Sequence, residues 1–314
     1  MTVPADLRLP APDAITLEDI IRIYEAFRPQ MPAVPQLQPA PRRIKRLADL
    51  LDHVEALVLD GFGVINVGAS RIDGILEFLD EVARRDIAVM VLTNGAGQRA
   101  ETSWQKYTNW GLKLACEQVV SSRDSLEAEI AGLTAGAVVA SMGPAARPLA
   151  IEGGLTFDHP EMFARATYFA FLGAIGWTES HQHALESALA GGGRHLLVAN
   201  PDVSAPLEGG FSAEPGYWAA RAAQATGIRP LWFGKPHAGA FDLVMARLET
   251  VYGRRFARGK VAMVGDSLHT DILGGAAAGM QSVLLTGYGL FSNGGADDMI
   301  RACGITPHWI AERL

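Results

Sequence analysis

Short continuous apolar runs that stop at a polar residue, separated by stretches of helical period, recur along this chain. They constrain its fold more than any other feature. Ala56-Leu57-Val58-Leu59 stops at Asp60, Ile87 to Leu92 stops at Thr93-Asn94-Gly95, Val119-Val120 stops at Ser121-Ser122, and Ala137 to Ala140 stops at Ser141. Runs without polar alternation are strands buried on both faces. Between them lie the helical-period segments Ile75 to Ala83, Thr102 to Trp110 and Ser125 to Leu133. Strands joined by helices of this length form right-handed crossovers in a parallel sheet covered on both sides. The pattern resumes with Leu231-Trp232-Phe233, Phe241 to Tyr252, Val261 to Val264, Ile272 to Ala278 and Ser282 to Leu285. The expected fold is therefore α/β, a Rossmann-like doubly wound parallel sheet that is interrupted and resumed.

The interruption has strand-like runs of its own, Thr167 to Leu172 and His195 to Asn200, and a helix over His183 to Ala190. It reads as an inserted smaller α/β cap domain; the alternative is that it continues the same sheet. The expected boundaries are an N-terminal extension at 1–46, a core domain at 47–158 and 232–314, and the cap at 159–231. The extension holds Pro29, Pro32, Pro35, Pro39 and Pro41 around one amphipathic pattern from Leu17 to Phe27, and it should pack on the main body.

Composition narrows the function classes. Of 314 residues, 49% are hydrophobic and 19% charged, a globular balance. A net charge of −7 supplies no electrostatic footprint for nucleic acid. The basic run Arg42, Arg43, Lys45 and Arg46 reads as a solvated helix start rather than a binding patch. Cys116 and Cys303 have neither metal-like nor redox-like spacing. With no membrane-length apolar run and no signal-peptide order, a cytoplasmic protein without a membrane partner is expected.

In parallel α/β sheets, ligands gather outside the carboxyl ends of the strands. The residues there are Asp60, Thr93 with Asn94, Lys235 just past Trp232-Phe233-Gly234, and Asp266 in Val264-Gly265-Asp266-Ser267. Two carboxylates, a hydroxyl and an ammonium are what a phosphoryl site requires. Carboxylates brought together stay ionised only with a cation between them, which points to Mg²⁺. Asp271 either supports the metal from behind or simply caps the next helix. Thr93 can donate its hydroxyl to an oxyanion, helped by backbone N–H groups of the turn at Asn94 and Gly95. Each of these residues alone is ordinary loop chemistry; their joint order along the chain carries the argument. Asn200 and Asp202 either face a substrate or form a plain Asn-Pro-Asp turn. His181 and His183 read as exposed helix residues, Gly191 to Gly193 as a helix stop, and Trp177, Trp218 and Trp232 as packing residues.

That order resembles the haloacid dehalogenase superfamily over most of the chain after residue 50. The matching motifs are Leu59-Asp60-Gly61-Phe62-Gly63-Val64, Leu92-Thr93-Asn94, Gly234-Lys235-Pro236, and Gly265-Asp266-Ser267-Leu268-His269-Thr270-Asp271. A cap between the second and third motifs is similar to the class IIA, NagD-like arrangement. The resemblance implies a Mg²⁺-dependent hydrolase acting on a small phosphorylated metabolite, a phosphomonoester, through an aspartyl-phosphate on Asp60. It further implies catalytic roles for Thr93 and Lys235, and substrate contacts from Asn94, Gly95, Asn200 and Asp202. The metal would be held by Asp60, the Phe62 backbone carbonyl and Asp266, with Asp271 behind them; a homodimer is also in keeping with the family.

One departure stands out. Phosphatases of the family read Asp-x-Asp at the first motif, and the second Asp moves the protons; here that position is Phe62. General acid–base help is typically worth about 10²–10⁴-fold, so a slow enzyme is expected, or a phosphate-ligand binder or regulatory protein on the same fold. Asp-x-Phe-Gly is also similar to the metal-free 2-haloacid dehalogenases, but those have no reason to keep both Asp266 and Asp271.

Overall fold

The computed structural model describes residues 4, 6–34, 40–133, 136–207 and 209–314. Its main sheet has seven strands, all pairing in parallel: β1 (Arg42–Arg46), β2 (Ala56–Leu59), β3 (Ala88–Thr93), β4 (Val119–Ser121), and, later in the chain, Val261–Gly265, Gln281–Leu285 and Trp309–Arg313. Between these two groups the chain builds a second, parallel four-stranded sheet from β5 (Val139–Met142), β6 (Tyr168–Phe171), β7 (His195–Val198) and β8 (Leu231–Trp232). The last three main-sheet strands are thus β9, β10 and β11, and the spatial order is β1-β11-β10-β9-β2-β3-β4. From β2 the chain winds outward through β3 and β4; after the second sheet it re-enters at β9 and winds the other way through β10 and β11. The expected doubly wound sheet with an inserted α/β unit is present.

Three assignments read from sequence change. Val139–Met142 and Leu231–Trp232, expected in the main sheet, belong to the second one, whose parallel pairing begins twenty residues before position 159. An apolar run records that a strand is buried but not which sheet receives it. Arg42–Arg46 is an edge strand against Trp309–Arg313 rather than a helix start, and it brings the end of the N-terminal extension into the main sheet. Exposed basic side chains suit such an edge because they discourage pairing with another chain.

Strand alternation divides the packing. Leu57, Leu59, Val89 and Val91 face Ile75, Phe78 and Val82 of α2 (Ile75–Arg84) and Tyr107 of α3 (Ala100–Asn109). Val58, Met90, Leu92 and Met263 face the opposite side, against Phe241, Val244 and Leu248 of the long helix Ala238–Tyr252. A further cluster is continuous across the molecule, joining Leu284 and Ile310 of the main sheet, Phe169, Phe171 and Trp218 of the inserted unit, and Ile20, Ile23, Tyr24 and Phe27 of α1 (Leu17–Phe27). The helical spacing of those four α1 residues makes one apolar face, and a capping box between Thr16 and Asp19 starts the helix. Where the chain leaves α4 (Ser122–Ile130) for the second sheet, the fully buried Arg123 donates to the carbonyls of Arg147 (2.7 Å) and Pro148 (2.9 Å). Among the described residues no helix is long and apolar enough to cross a membrane.

Candidate active site

The two winding directions separate between β2 and β9, which pair with Leu59 opposite Val264. Such a switch point opens a crevice beyond the strand ends. Asp60 and Asp266 leave the sheet there. Lys235, three residues past β8, inserts its ammonium between two carboxylates, 2.6 Å from Asp60 Oδ1 and 2.7 Å from Asp271 Oδ1. Its side chain is 1% exposed, so the contact is fully desolvated. Asp60 Oδ1 also accepts from the Gly61 N–H at 2.7 Å.

Asp271 lies inside a π-helical turn, Leu268–Ile272, and is no helix N-cap: its Oδ2 accepts from the Ser267 N–H at 3.0 Å while Oδ1 takes Lys235. Asp266 Oδ2 accepts from the Leu290 N–H at 2.8 Å. Two bare turns press on this carboxylate. A Cβ at Gly63 (φ +75°) would sit 2.3 Å from its atoms, and one at Gly289 (φ +67°) would sit 1.9 Å away.

Asp60, Asp266 and Asp271 each offer an oxygen within 4.8 Å of the others. Three buried carboxylates face one ammonium, and the electrostatics record the imbalance. Burial, opposed by Lys235 and reinforced by Asp271 and Asp202, pushes Asp60 up to about 8. Burial, with Asp271 and Asp60 beside it, drives Asp266 well above the carboxylate range. The same carboxylates raise Lys235 despite its burial. A hard, oxygen-only donor set with excess negative charge fits a divalent cation. Among the described residues, Asp60 Oδ2, Asp266 Oδ1 and the Phe62 carbonyl accept no hydrogen bond, whereas both oxygens of Asp271 are engaged.

Of these groups, Asp60 and Asp266 line a cavity of about 330 Å³ between the two sheets, with Phe62, Gly95, Asn200, Asp202 and Ser267 also in its wall. The structure therefore gathers most of the residues singled out by sequence. Buried Thr93 accepts the Gly95 N–H at 3.1 Å, which leaves its own proton free to be donated. Asn94, of which a substrate contact is expected, makes three hydrogen bonds within the protein. Its Oδ1 accepts the Lys235 N–H (2.8 Å), and its Nδ2 donates to the Lys235 carbonyl (3.1 Å) and to Asp202 Oδ1 (2.9 Å). With both amide protons donated, it ties Lys235 to Asp202 of the inserted unit. Asn200 lines the cavity, but its amide is spent on the Asp202 N–H (2.9 Å) and on Glu214 (3.3 Å).

At position 62 the wall is aromatic. Lys106 Nζ lies 5.4 Å from the Phe62 ring centre, 4.9 Å from that of Tyr107 and 5.1 Å from that of Trp110, and burial lowers its pKa. Sequence reasoning missed Lys106, and it also missed Tyr24. Tyr24 reaches the cavity from α1, stacks on His269 with ring centres 4.9 Å apart, and accepts the Val203 N–H at 3.1 Å. The only local signal was its place on the apolar face of an amphipathic helix, which a core residue shares.

A model of haloacid dehalogenase-like hydrolases matches residues 57–155, and a second, HAD-hydrolase-like model matches residues 232–314. An acid sugar phosphatase of Staphylococcus aureus is 26% identical over 234 residues, covering 74% of this chain and 86% of the relative. Among solved structures, a possible sugar phosphatase of the HAD superfamily from Cytophaga hutchinsonii superposes with a TM-score of 0.75 at 25% identity, over 86% of this chain and 98% of that one. NagD from E. coli K-12 shares the fold with a TM-score of 0.61 at 19% identity, over 83% and 96%. The first family model reaches through β5 and the second begins at Trp232 of β8, so β6 and β7 of the inserted sheet lie between the two matches, and the four strand-end motifs meet at the switch point in front of that sheet. The chain belongs to the haloacid dehalogenase-like hydrolases and has the class IIA, NagD-like arrangement of core and cap.

Proposed function

We propose that this hydrolase is a Mg²⁺-dependent phosphatase of a small phosphomonoester, with Asp60 as the nucleophile. The observation that carries this reading is the buried Lys235 bridging Asp60 and Asp271, with Asp266 alongside. A carboxylate nucleophile needs its attacking oxygen aimed and its charge neighbours fixed, and Lys235 and the Gly61 N–H hold Asp60 at one oxygen while leaving the other unpaired. Lys235 and the Thr93 hydroxyl then face the phosphoryl oxygens, where negative charge collects in the transition state. A bound Mg²⁺, held by Asp60, the Phe62 carbonyl and Asp266 with Asp271 behind them, would supply further charge neutralisation. The relatives named sugar phosphatases make sugar phosphates the first esters to test.

A second reading, a phosphate-ligand binder with impaired turnover, is favoured by Phe62 alone. A screen of phosphate esters with and without Mg²⁺ separates the two. The phosphatase reading expects metal-dependent phosphate release that drops to background in Asp60→Asn. Silence across the screen, with melting temperature still raised by Mg²⁺ and inorganic phosphate together, would instead establish the binder. Metal-independent halide release from 2-haloacids would overturn both. Light scattering in solution tests the homodimer that the family arrangement suggests.

A further inference from the structure

The aromatic wall at Phe62 leaves the reaction without its usual proton carrier, and the opposite wall holds a carboxylate that the mechanism above does not use. Asp202 sits on the loop after β7, half-buried, in the wall of the same cavity as Asp60. One of its oxygens, Oδ1, is held by Asn94 Nδ2 at 2.9 Å; among the described residues the other has no donor. Asn94 is fixed in turn by both backbone groups of Lys235. Although carried by the cap, Asp202 is thus registered against the core site through a single intervening side chain.

In-line displacement fixes which side needs the proton. The nucleophile and the leaving oxygen lie on opposite faces of the phosphorus, so an ester attacked by Asp60 points its alcohol away from the strand ends. The cap wall covers that side. We propose that Asp202 is the general acid and base of this enzyme, in place of the carboxylate that Phe62 displaces. The inference rests on the phosphatase reading.

In the first step an Asp60 oxygen bonds to phosphorus and the ester P–O bond breaks. Its electron pair goes to the alcohol oxygen, which takes the proton of the Asp202 carboxylic acid. In the second step the Asp202 carboxylate removes a proton from water as the water oxygen bonds to phosphorus. The bond to Asp60 breaks, and phosphate, free Asp60 and protonated Asp202 remain. Ester and water become alcohol and phosphate, and the enzyme returns to its starting state.

The surroundings suit both roles. Burial raises Asp202, while Lys235 and the Asn94 hydrogen bond lower it and Asp271 and Glu214 raise it, for a result of about 7. Asp60 from the core and Tyr24 from α1 also feel its charge. A group balanced there supplies both acid and conjugate base near neutral pH.

The test compares a sugar phosphate with p-nitrophenyl phosphate, whose leaving group departs without a proton, in wild type and Asp202→Asn with Mg²⁺ present. Asparagine keeps an oxygen for Asn94 to bond, so the fold should hold, as melting temperature and vanadate binding will show. Sugar-phosphate turnover should fall by roughly 10²–10⁴-fold. The first-turnover burst of p-nitrophenolate should persist while its steady state falls, and phosphorylated enzyme should accumulate. Phe62→Asp added to Asp202→Asn should recover much of the loss. Should Asp202→Asn fail to fold, Asp202→Glu serves: it keeps a carboxyl and should retain a burst and a shifted pH profile. Equal loss of burst and sugar-phosphate rates, or a rise in KM alone, would make Asp202 a positioning or binding residue and overturn the proposal. Absence of turnover by wild type on either ester would defeat the phosphatase reading itself.

Discussion

The two walls of the cavity are built on different principles. On the core side, Asp60 and Asp266 directly follow strands whose residues are fully buried, and the carboxylates of Asp60, Asp266 and Asp271 are each gripped by a backbone N–H, by Lys235, or by both. On the cap side, the wall is loop: Leu172 to Ile175, with Ile175 79% exposed, and Asn200 to Pro206, ending in the two-residue ladder between Pro206–Leu207 and Gly210–Phe211. Rigid strand ends hold the groups whose geometry the reaction cannot vary, and loops carry what can be altered without disturbing the core. Asp202 is the exception, a cap residue kept in core register by Asn94.

Because the core wall is coupled through Lys235, Lys235→Met should be the costliest change. Removing one partner of a buried charge cluster strands Asp60 and Asp271, and urea unfolding should show a loss of about 3–5 kcal/mol along with loss of turnover. Mild destabilisation would mean the carboxylates find another neutral state. Tyr24→Ala probes the seam between the walls; deleting a buried aromatic ring should cost about 3 kcal/mol. Because that ring touches His269 on one side and Val203 on the other, KM should also rise.

Titration is a gentler probe. The Asp60 pKa is raised from an ordinary carboxylate value to about 8, so the native state binds a proton that the unfolded chain has released. Its contribution is full below about pH 4 and lost as pH rises to 8, so the metal-free protein should lose stability across that window. Mg²⁺ binds the ionised form and should restore more stability at pH 8 than at pH 5. A pH-independent metal effect would remove Asp60 from the ion's site. The smallest effect is expected at Ile175→Ala, where stability should stay within about 0.5 kcal/mol while the KM ratio between a large and a small sugar phosphate shifts.

The same contrast explains what the sequence disclosed. Asp60, Thr93 and Asp266 were legible because a buried parallel strand is a local pattern and its last residue is where chemistry sits; Lys235 was read beside them as the residue just past an apolar run. The sheet that receives Val139–Met142 was not legible, since burial alone leaves a trace in the run and the partner does not. Nor was the work of Asn94, whose bonding partners lie 108 and 141 residues away. Tyr24 was hidden for the same reason: its place in the cavity depends on Val203, 179 residues on.

That distance has a temporal side. Helix α1 is made before every partner it rests on: Val203, His269 through the 2.7 Å contact with Glu25, and the helix Ala296–Cys303. A synthesising ribosome would expose its apolar face for nearly the whole chain, and loop closure over such spans is slow. The cap can assemble from consecutive residues while the seam beside it still waits. Activity would then arrive late in folding, when helix α1 meets His269 and the helix Ala296–Cys303 and the cavity acquires its remaining wall.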